Sequence, residues 1–266
     1  MPHAGDNRTL KHGCIVMASG AGVRFGGNKL MAELCREPLV DHVVRATGGL
    51  FDRRVVVTRH ADVAALCETL GAQVILHDGP GRNDTVRLGM EAMDGCDTVT
   101  FVQGDQPLIR PASIAALLRA AERDAAAEHD AAAAARRDAI GAAGRDAEGR
   151  DAAEDYDTEH DAAESGVDVA VGRDAAGCGV VDVSGSPSSR IWRTSFDGMP
   201  GAPVLFPSWA FDELRSLPHG KGGGFVAKMH AEYVRTIEVS SEWELFDVDT
   251  RDDLQQLQAY VARCGM

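Results

Sequence analysis

With 266 residues, 44% of them hydrophobic, the chain can bury a sizeable core. It has no run near the roughly 18–20 apolar residues that a membrane-spanning helix needs. A net charge of −14 excludes the dense Lys/Arg field of a nucleic-acid groove but leaves room for a short anion, such as a nucleotide, held by a few placed cations.

The polar first eleven residues lack an apolar signal core, so the expectation is a cytoplasmic protein with no nucleic-acid or membrane partner. The six cysteines (Cys14, Cys35, Cys67, Cys96, Cys178, Cys264) form no C-x-x-C pair and read as reduced thiols.

In chain order, an apolar run at 14–18 predicts a strand, followed by a glycine-rich loop and a helix over 38–47. Strands at 54–58, 73–76 and 98–103 alternate with helices at 63–70, 84–93 and 112–123, the last opened by Pro111. This alternation predicts an α/β fold with a mostly parallel sheet covered on both faces.

Residues 124–165 break the pattern. They repeat Arg-Asp-Ala among Ala and Glu and carry 13 acidic against 4 basic side chains. With so few large apolar groups, the segment reads as a low-complexity acidic insertion, disordered or loosely helical, with nothing to dock it on a core. It interrupts a single domain spanning 1–266 rather than separating two. Strands are predicted again at 167–171, 180–183, 202–206 and 233–239. Helices are expected at 209–217 and around 225–230, with a Gly-rich turn at 221–224. A last helix over 251–262 has Thr250 as N-cap and Asp253 at N3.

The loop Ala18-Ser19-Gly20-Ala21-Gly22-Val23-Arg24-Phe25-Gly26-Gly27-Asn28-Lys29 follows the first strand. Glycines there let backbone N–H groups approach a ligand, and Arg24 and Lys29 add two cations suited to a triphosphate. The dinucleotide fingerprint fails because Phe25 stands at its last position. The P-loop fails because Asn28-Lys29-Leu30 replaces its Lys-Ser/Thr ending. A plain tight turn is the alternative reading of such a loop.

Two carboxylate motifs accompany it. Gly104-Asp105-Gln106-Pro107 closes a hydrophobic strand, where ligands of open parallel sheets bind, although a lone Asp there also reads as a cap. In Asp247-Val248-Asp249, alternation puts both acids on one face, within reach of one cation.

Together these motifs resemble the MobA-like nucleotidyltransferases, whose loop signature keeps the order Gly20, Arg24, Gly26, Lys29. The resemblance covers roughly 12–123 and 167–262 and implies a Rossmann-like three-layer sandwich. It implies a nucleotide-binding set of Ala18, Ser19, Gly20, Ala21, Gly22, Arg24, Lys29, Arg82, Asn83, Thr85 and Gly104. Arg24, Lys29 and Asp105 would be catalytic, and Asp105 would hold Mg²⁺ with Asp247 or Asp249.

Asp-Gln-Pro leans toward molybdenum cofactor cytidylyltransferases, which move CMP from CTP to the phosphate of molybdopterin cofactor and release pyrophosphate. A molybdenum hydroxylase apoenzyme would then be a further partner. GTP as donor, a small phosphorylated alcohol as acceptor, and a non-catalytic nucleotide- or cofactor-binding protein are the alternatives. Ala202 stands where the family has a His beside its second substrate, and Lys221 is a candidate contact for an anionic acceptor.

Overall fold

The computed structural model describes residues 9–148 and 189–265. The strands are β1 His12–Ala18, β2 Glu33–Leu34, β3 Glu37–Pro38, β4 Arg53–Thr58, β5 Gln73–Leu76, β6 Thr98–Gln103, β7 Ile191–Phe196, β8 Met199–Pro207 and β9 Val234–Glu238. The helices are α1 Leu39–Ala46, α2 Ala61–Thr69, α3 Arg82–Glu91, α4 Pro111–Glu148, α5 Phe211–Arg215, α6 Gly223–Met229 and α7 Arg251–Cys264.

Seven strands form one sheet in the order β5-β4-β1-β6-β8-β7-β9. β1 lies parallel to both β4 and β6, while β8 runs antiparallel to its neighbours β6 and β7. Strands from both sides of the acidic segment therefore share a sheet. β1 is central and reads His-Gly-Cys-Ile-Val-Met-Ala, almost all of it buried, as expected for a strand covered on both faces.

Each face has its own core. Ile15, Val55, Val57, Phe101 and Phe206 pack with α3, α5 and α6 on one side. Val16, Val56 and Val102 pack with Val40, Val43 and Val44 of α1 on the other. The fold is a mostly parallel α/β sandwich, as the alternation predicts.

The predicted strands at 167–171 and 180–183 lie outside the described residues, as does Cys178. Within the described residues the structure departs from expectation in two places. The sequence reading passed over β7, whose Thr194 and Ser195 are fully buried with hydroxyls bonded to Pro203 O (3.4 Å) and Glu238 Oε2 (2.8 Å). Finally, α4 runs without a break from 111 into the acidic segment as far as Glu148. The first turns of that segment are docked: Asp124 Oδ2 accepts from Trp192 Nε1 at 2.7 Å, and Glu128 Oε1 accepts from Ser189 N at 3.2 Å. The missing apolar anchors are replaced by two carboxylates and by Ala125, packed beside Leu118 and Ala121.

Candidate active site

The loop after β1 folds on itself. Gly22 O accepts from Phe25 N and Gly26 N, both at 3.0 Å. Gly22 has φ +60°, and a Cβ there would stand 2.0 Å from Gly27 O, so the turn admits only glycine. Asn28 then caps a short 3-10 turn, accepting from Leu30 N at 3.3 Å and donating to Asp62 of α2 at 2.9 Å. That turn aims Lys29 inward, where only 7% of its side chain meets solvent.

The carboxylates reach Lys29 from two further segments. Gly104 N bonds Met17 O at 3.0 Å, fixing the end of β6 beside β1 and placing Asp105 at the strand end. The 245–249 segment is tied to the same place by Val248 N on Asp105 O (3.0 Å) and Gln106 Nε2 on Leu245 O (3.2 Å). Asp249 is set by the capping box of α7: Asp253 N bonds Thr250 Oγ1, and Asp253 Oδ2 accepts from Asp249 N and Thr250 N.

The result is a charge cluster. Lys29 Nζ lies 2.6 Å from Asp105 Oδ2 and 2.7 Å from Asp249 Oδ1, and Arg24 Nη2 lies 2.6 Å from Asp249 Oδ2. Burial works to lower the Lys29 pKa, but the two carboxylates outweigh it and raise the value above the usual lysine range. The hydrogen bond from Lys29, followed by the nearby positive charges, holds Asp249 below the usual carboxylate range. Partial loss of water, with the Asp105 charge second, pushes Asp247 up to about 6, although the residue remains exposed.

Over this cluster opens a cleft of about 350 Å³. Its walls include Ser19 through Gly22, Arg24 and Lys29 from the first loop, with Asp105 and Asp249 at the carboxylate end. Arg82 and Thr85 join from the start of α3. The other sequence-derived residues stand behind the wall. Ala18 is buried, its carbonyl accepting from Thr58 Oγ1 at 2.8 Å. Gly104 permits close approach, since a Cβ there would lie 3.0 Å from Met17 O. Asn83 Oδ1 accepts from Gly220 N at 2.9 Å, bracing the loop before α6. Asp247 does not line the cleft, although the charges of Asp105 and Asp249 reach it.

Arg59 lines the cleft and was not apparent from sequence, nor was His77, whose ring lies 2.9 Å from Ser19 Oγ. Both follow strand ends, which become neighbours of the first loop only through the β5-β4-β1 order. Lys221 is placed over the Phe225 ring, 5.7 Å from its centre.

No group of three or more His, Cys, Asp or Glu side chains among the described residues is arranged to hold a metal unaided. The cleft instead offers two carboxylates, Asp105 and Asp249, which here converge on Lys29 Nζ. That donor set suits a hard cation which takes few protein carboxylates and completes its shell with phosphate oxygens and water.

The sequence matches the MobA-like NTP transferase domain over residues 14–235. The chain belongs to that family. Among curated relatives, this MobA-like chain is 41% identical over 115 residues to a 3-deoxy-manno-octulosonate cytidylyltransferase of Anaeromyxobacter sp. (strain Fw109-5). That match takes in 41% of this chain and 46% of the relative, so the chain spans about half the length of the curated relatives it matches.

Solved structures share the MobA-like fold at low identity. A CMP:2-keto-3-deoxy-manno-octonic acid synthetase complexed with CTP superposes with TM-score 0.60 at 13% identity, over 95% of this chain and 99% of that one. Rv0371c of Mycobacterium tuberculosis H37Rv, in complex with manganese, gives 0.56 at 17% identity, over 94% and 99%.

Proposed function

We propose that this chain transfers CMP from CTP to an anionic acceptor and releases pyrophosphate. The observation that carries the reading is Lys29, buried and shared between Asp105 and Asp249 beneath a glycine loop that also supplies Arg24. A cation held by one carboxylate at the end of a parallel strand and another before the last helix is suited to exchanging those partners for phosphate oxygens.

In this reading the backbone of Gly20–Gly22, with Arg24 and Lys29, holds the triphosphate. An acceptor oxygen attacks the α-phosphorus. The new O–P bond forms as the bond to the bridging oxygen breaks, and pyrophosphate leaves with that electron pair. Such chemistry depends on alignment and charge neutralisation and needs no nucleophilic side chain. Arg24 and Lys29 offset the charge growing on the leaving group. A divalent cation, Mg²⁺ as the favoured ion, would be held by Asp105 and Asp249, and it would supply further neutralisation of the phosphates.

For the acceptor we favour the phosphate of molybdopterin cofactor, supported by the Gly-Asp-Gln-Pro motif at 104–107 and the family resemblance. A second reading, transfer to a 3-deoxy sugar acid, is favoured by the 41% identity with the Anaeromyxobacter enzyme. Mass spectrometry of reactions with CTP, Mg²⁺ and each acceptor separates the two. A cytosine dinucleotide of the pterin supports the first reading. A CMP-sugar with no pterin product overturns it.

A further inference from the structure

Outside the charge cluster, the strongest feature is a hydrogen-bond network at the other side of β1. Asp105 follows β6 and Arg59 follows β4, so the cleft runs across the ends of β6, β1 and β4, and His77 follows β5, the next strand in the sheet. On this side Ser19 Oγ lies 3.0 Å from Val57 O and 2.9 Å from His77 Nε2. The same ring nitrogen lies 3.3 Å from Thr85 Oγ1, on α3. Ser19 and Thr85 both line the cleft, and His77 stands behind them.

The proton order of this network follows from what each group can do. Val57 O can only accept, so with Ser19 Oγ held in this position its single hydroxyl proton points to that carbonyl. Ser19 Oγ must then accept from His77, which puts the ring proton on Nε2. The other ring nitrogen agrees: His77 Nδ1 is buried and has no hydrogen-bond partner, which a bare lone pair tolerates better than an N–H would. Burial first, and the Arg59 charge second, also lower the His77 pKa and keep the ring neutral. Held between Val57 O and His77 Nε2–H, the Ser19 oxygen has only a lone pair left for the cleft. Thr85 receives at most the weaker share of the His77 proton, and its own hydroxyl proton is free to point into the cleft.

We propose that His77 is a specificity-determining positioning residue, locking Ser19 as an acceptor beside the Thr85 donor so that the cleft favours an amino-pyrimidine base over an oxo-pyrimidine. Cytosine offers an exocyclic amino donor beside ring and carbonyl acceptors, matching that pair. Uracil turns the amino group into a carbonyl, which would face the Ser19 lone pair. Without the His77 N–H to hold Ser19 Oγ in place, the side chain can turn away from Val57 O and donate into the cleft, where it would serve either base. The inference rests on the nucleotidyl-transfer reading and assigns His77 no contact with substrate.

The test is equilibrium binding of CTP and UTP, with Mg²⁺, to the full chain and to His77→Leu and His77→Gln. The intact chain should favour CTP, and His77→Leu should shrink the UTP-to-CTP Kd ratio by about tenfold. The shrinkage should come mainly from tighter UTP binding. His77→Gln keeps an N–H donor and should restore most of the ratio, which a purely structural role would not predict. An unchanged ratio in His77→Leu, or no preference in the intact chain, overturns the inference while leaving nucleotide transfer standing. If His77→Leu does not fold, His77→Gln against His77→Glu, which replaces the donor with an acceptor, decides the matter in the same way. Failure of the intact chain to bind any nucleoside triphosphate instead removes the reading beneath it.

Discussion

Lys29 Nζ lies 2.7 Å from Asp249 Oδ1, although the two residues are 220 positions apart in the chain. One is aimed by a capped turn after the first strand and the other by the capping box of the last helix. The contact closes the cleft from both ends of the sequence. It also distinguishes Asp249 from its near neighbour Asp247, since Asp249 carries both Lys29 and Arg24.

Asp249→Asn should therefore reduce pyrophosphate release by about 100-fold, in line with the loss of a preorganised electrostatic contact. Asp247→Asn should cost less than tenfold. Steady-state kinetics of the two variants side by side check this, and equal losses would contradict the separation.

Asp105→Asn should leave the thermal unfolding midpoint within a few degrees of the parent and remove most metal-dependent turnover. Neutralising Asp105 withdraws one of two carboxylates available to a cation, and the amide keeps the shape of the side chain. Titration of activity with Mg²⁺ checks it. A variant with the parent's metal dependence would take Asp105 out of the metal site.

Gly22→Ala places a side chain at φ +60° against Gly27 O. The expected cost is about 1–3 kcal/mol of stability, with nucleotide binding lost as the loop shifts. Urea unfolding and CTP titration measure the two effects separately.

His12 predicts an acid limit to stability. It is buried on β1 with Nδ1 2.7 Å from Thr98 Oγ1, and burial lowers its pKa below the ordinary 6.5 even though Glu122 acts in the opposite direction. The unfolded chain thus takes up a proton near pH 6.5 that the folded chain resists. Its contribution is complete above that pH and is lost as pH falls through the folded value. Between pH 7.5 and 5 the parent should lose more stability than His12→Gln, as measured by denaturant unfolding. Parallel losses would contradict it.

The first half of the fold was legible because its signals are local. Runs such as Arg54-Val55-Val56-Val57-Thr58 and Thr98-Val99-Thr100-Phe101-Val102 are buried on both faces and announce themselves. So did Lys29, Arg24 and Asp105, which sit in glycine-rich or strand-end motifs. β7 did not, because Ile-Trp-Arg-Thr-Ser-Phe has neither an apolar run nor clean alternation, and its buried hydroxyls find partners only in neighbouring strands. His77 and Arg59 carry no motif and acquire meaning from strand order alone.

The docked start of the acidic segment was invisible for a related reason. Asp124 and Glu128 read as solvated charges until Trp192 and Ser189 arrive from a distant part of the chain. Asp124→Ala should therefore destabilise by about 1 kcal/mol, the usual worth of such a hydrogen bond. Thermal unfolding checks it, and no change would mean that the Trp192 contact contributes nothing.

The central claim is that the Lys29-centred cleft performs nucleotidyl transfer. It is tested most directly by pyrophosphate release from CTP, GTP, ATP and UTP with Mg²⁺ and molybdopterin cofactor, using the parent chain and Lys29→Met. The account predicts release that is selective for CTP, dependent on acceptor, and reduced at least 100-fold in Lys29→Met. Equal release by a folded Lys29→Met variant would contradict it.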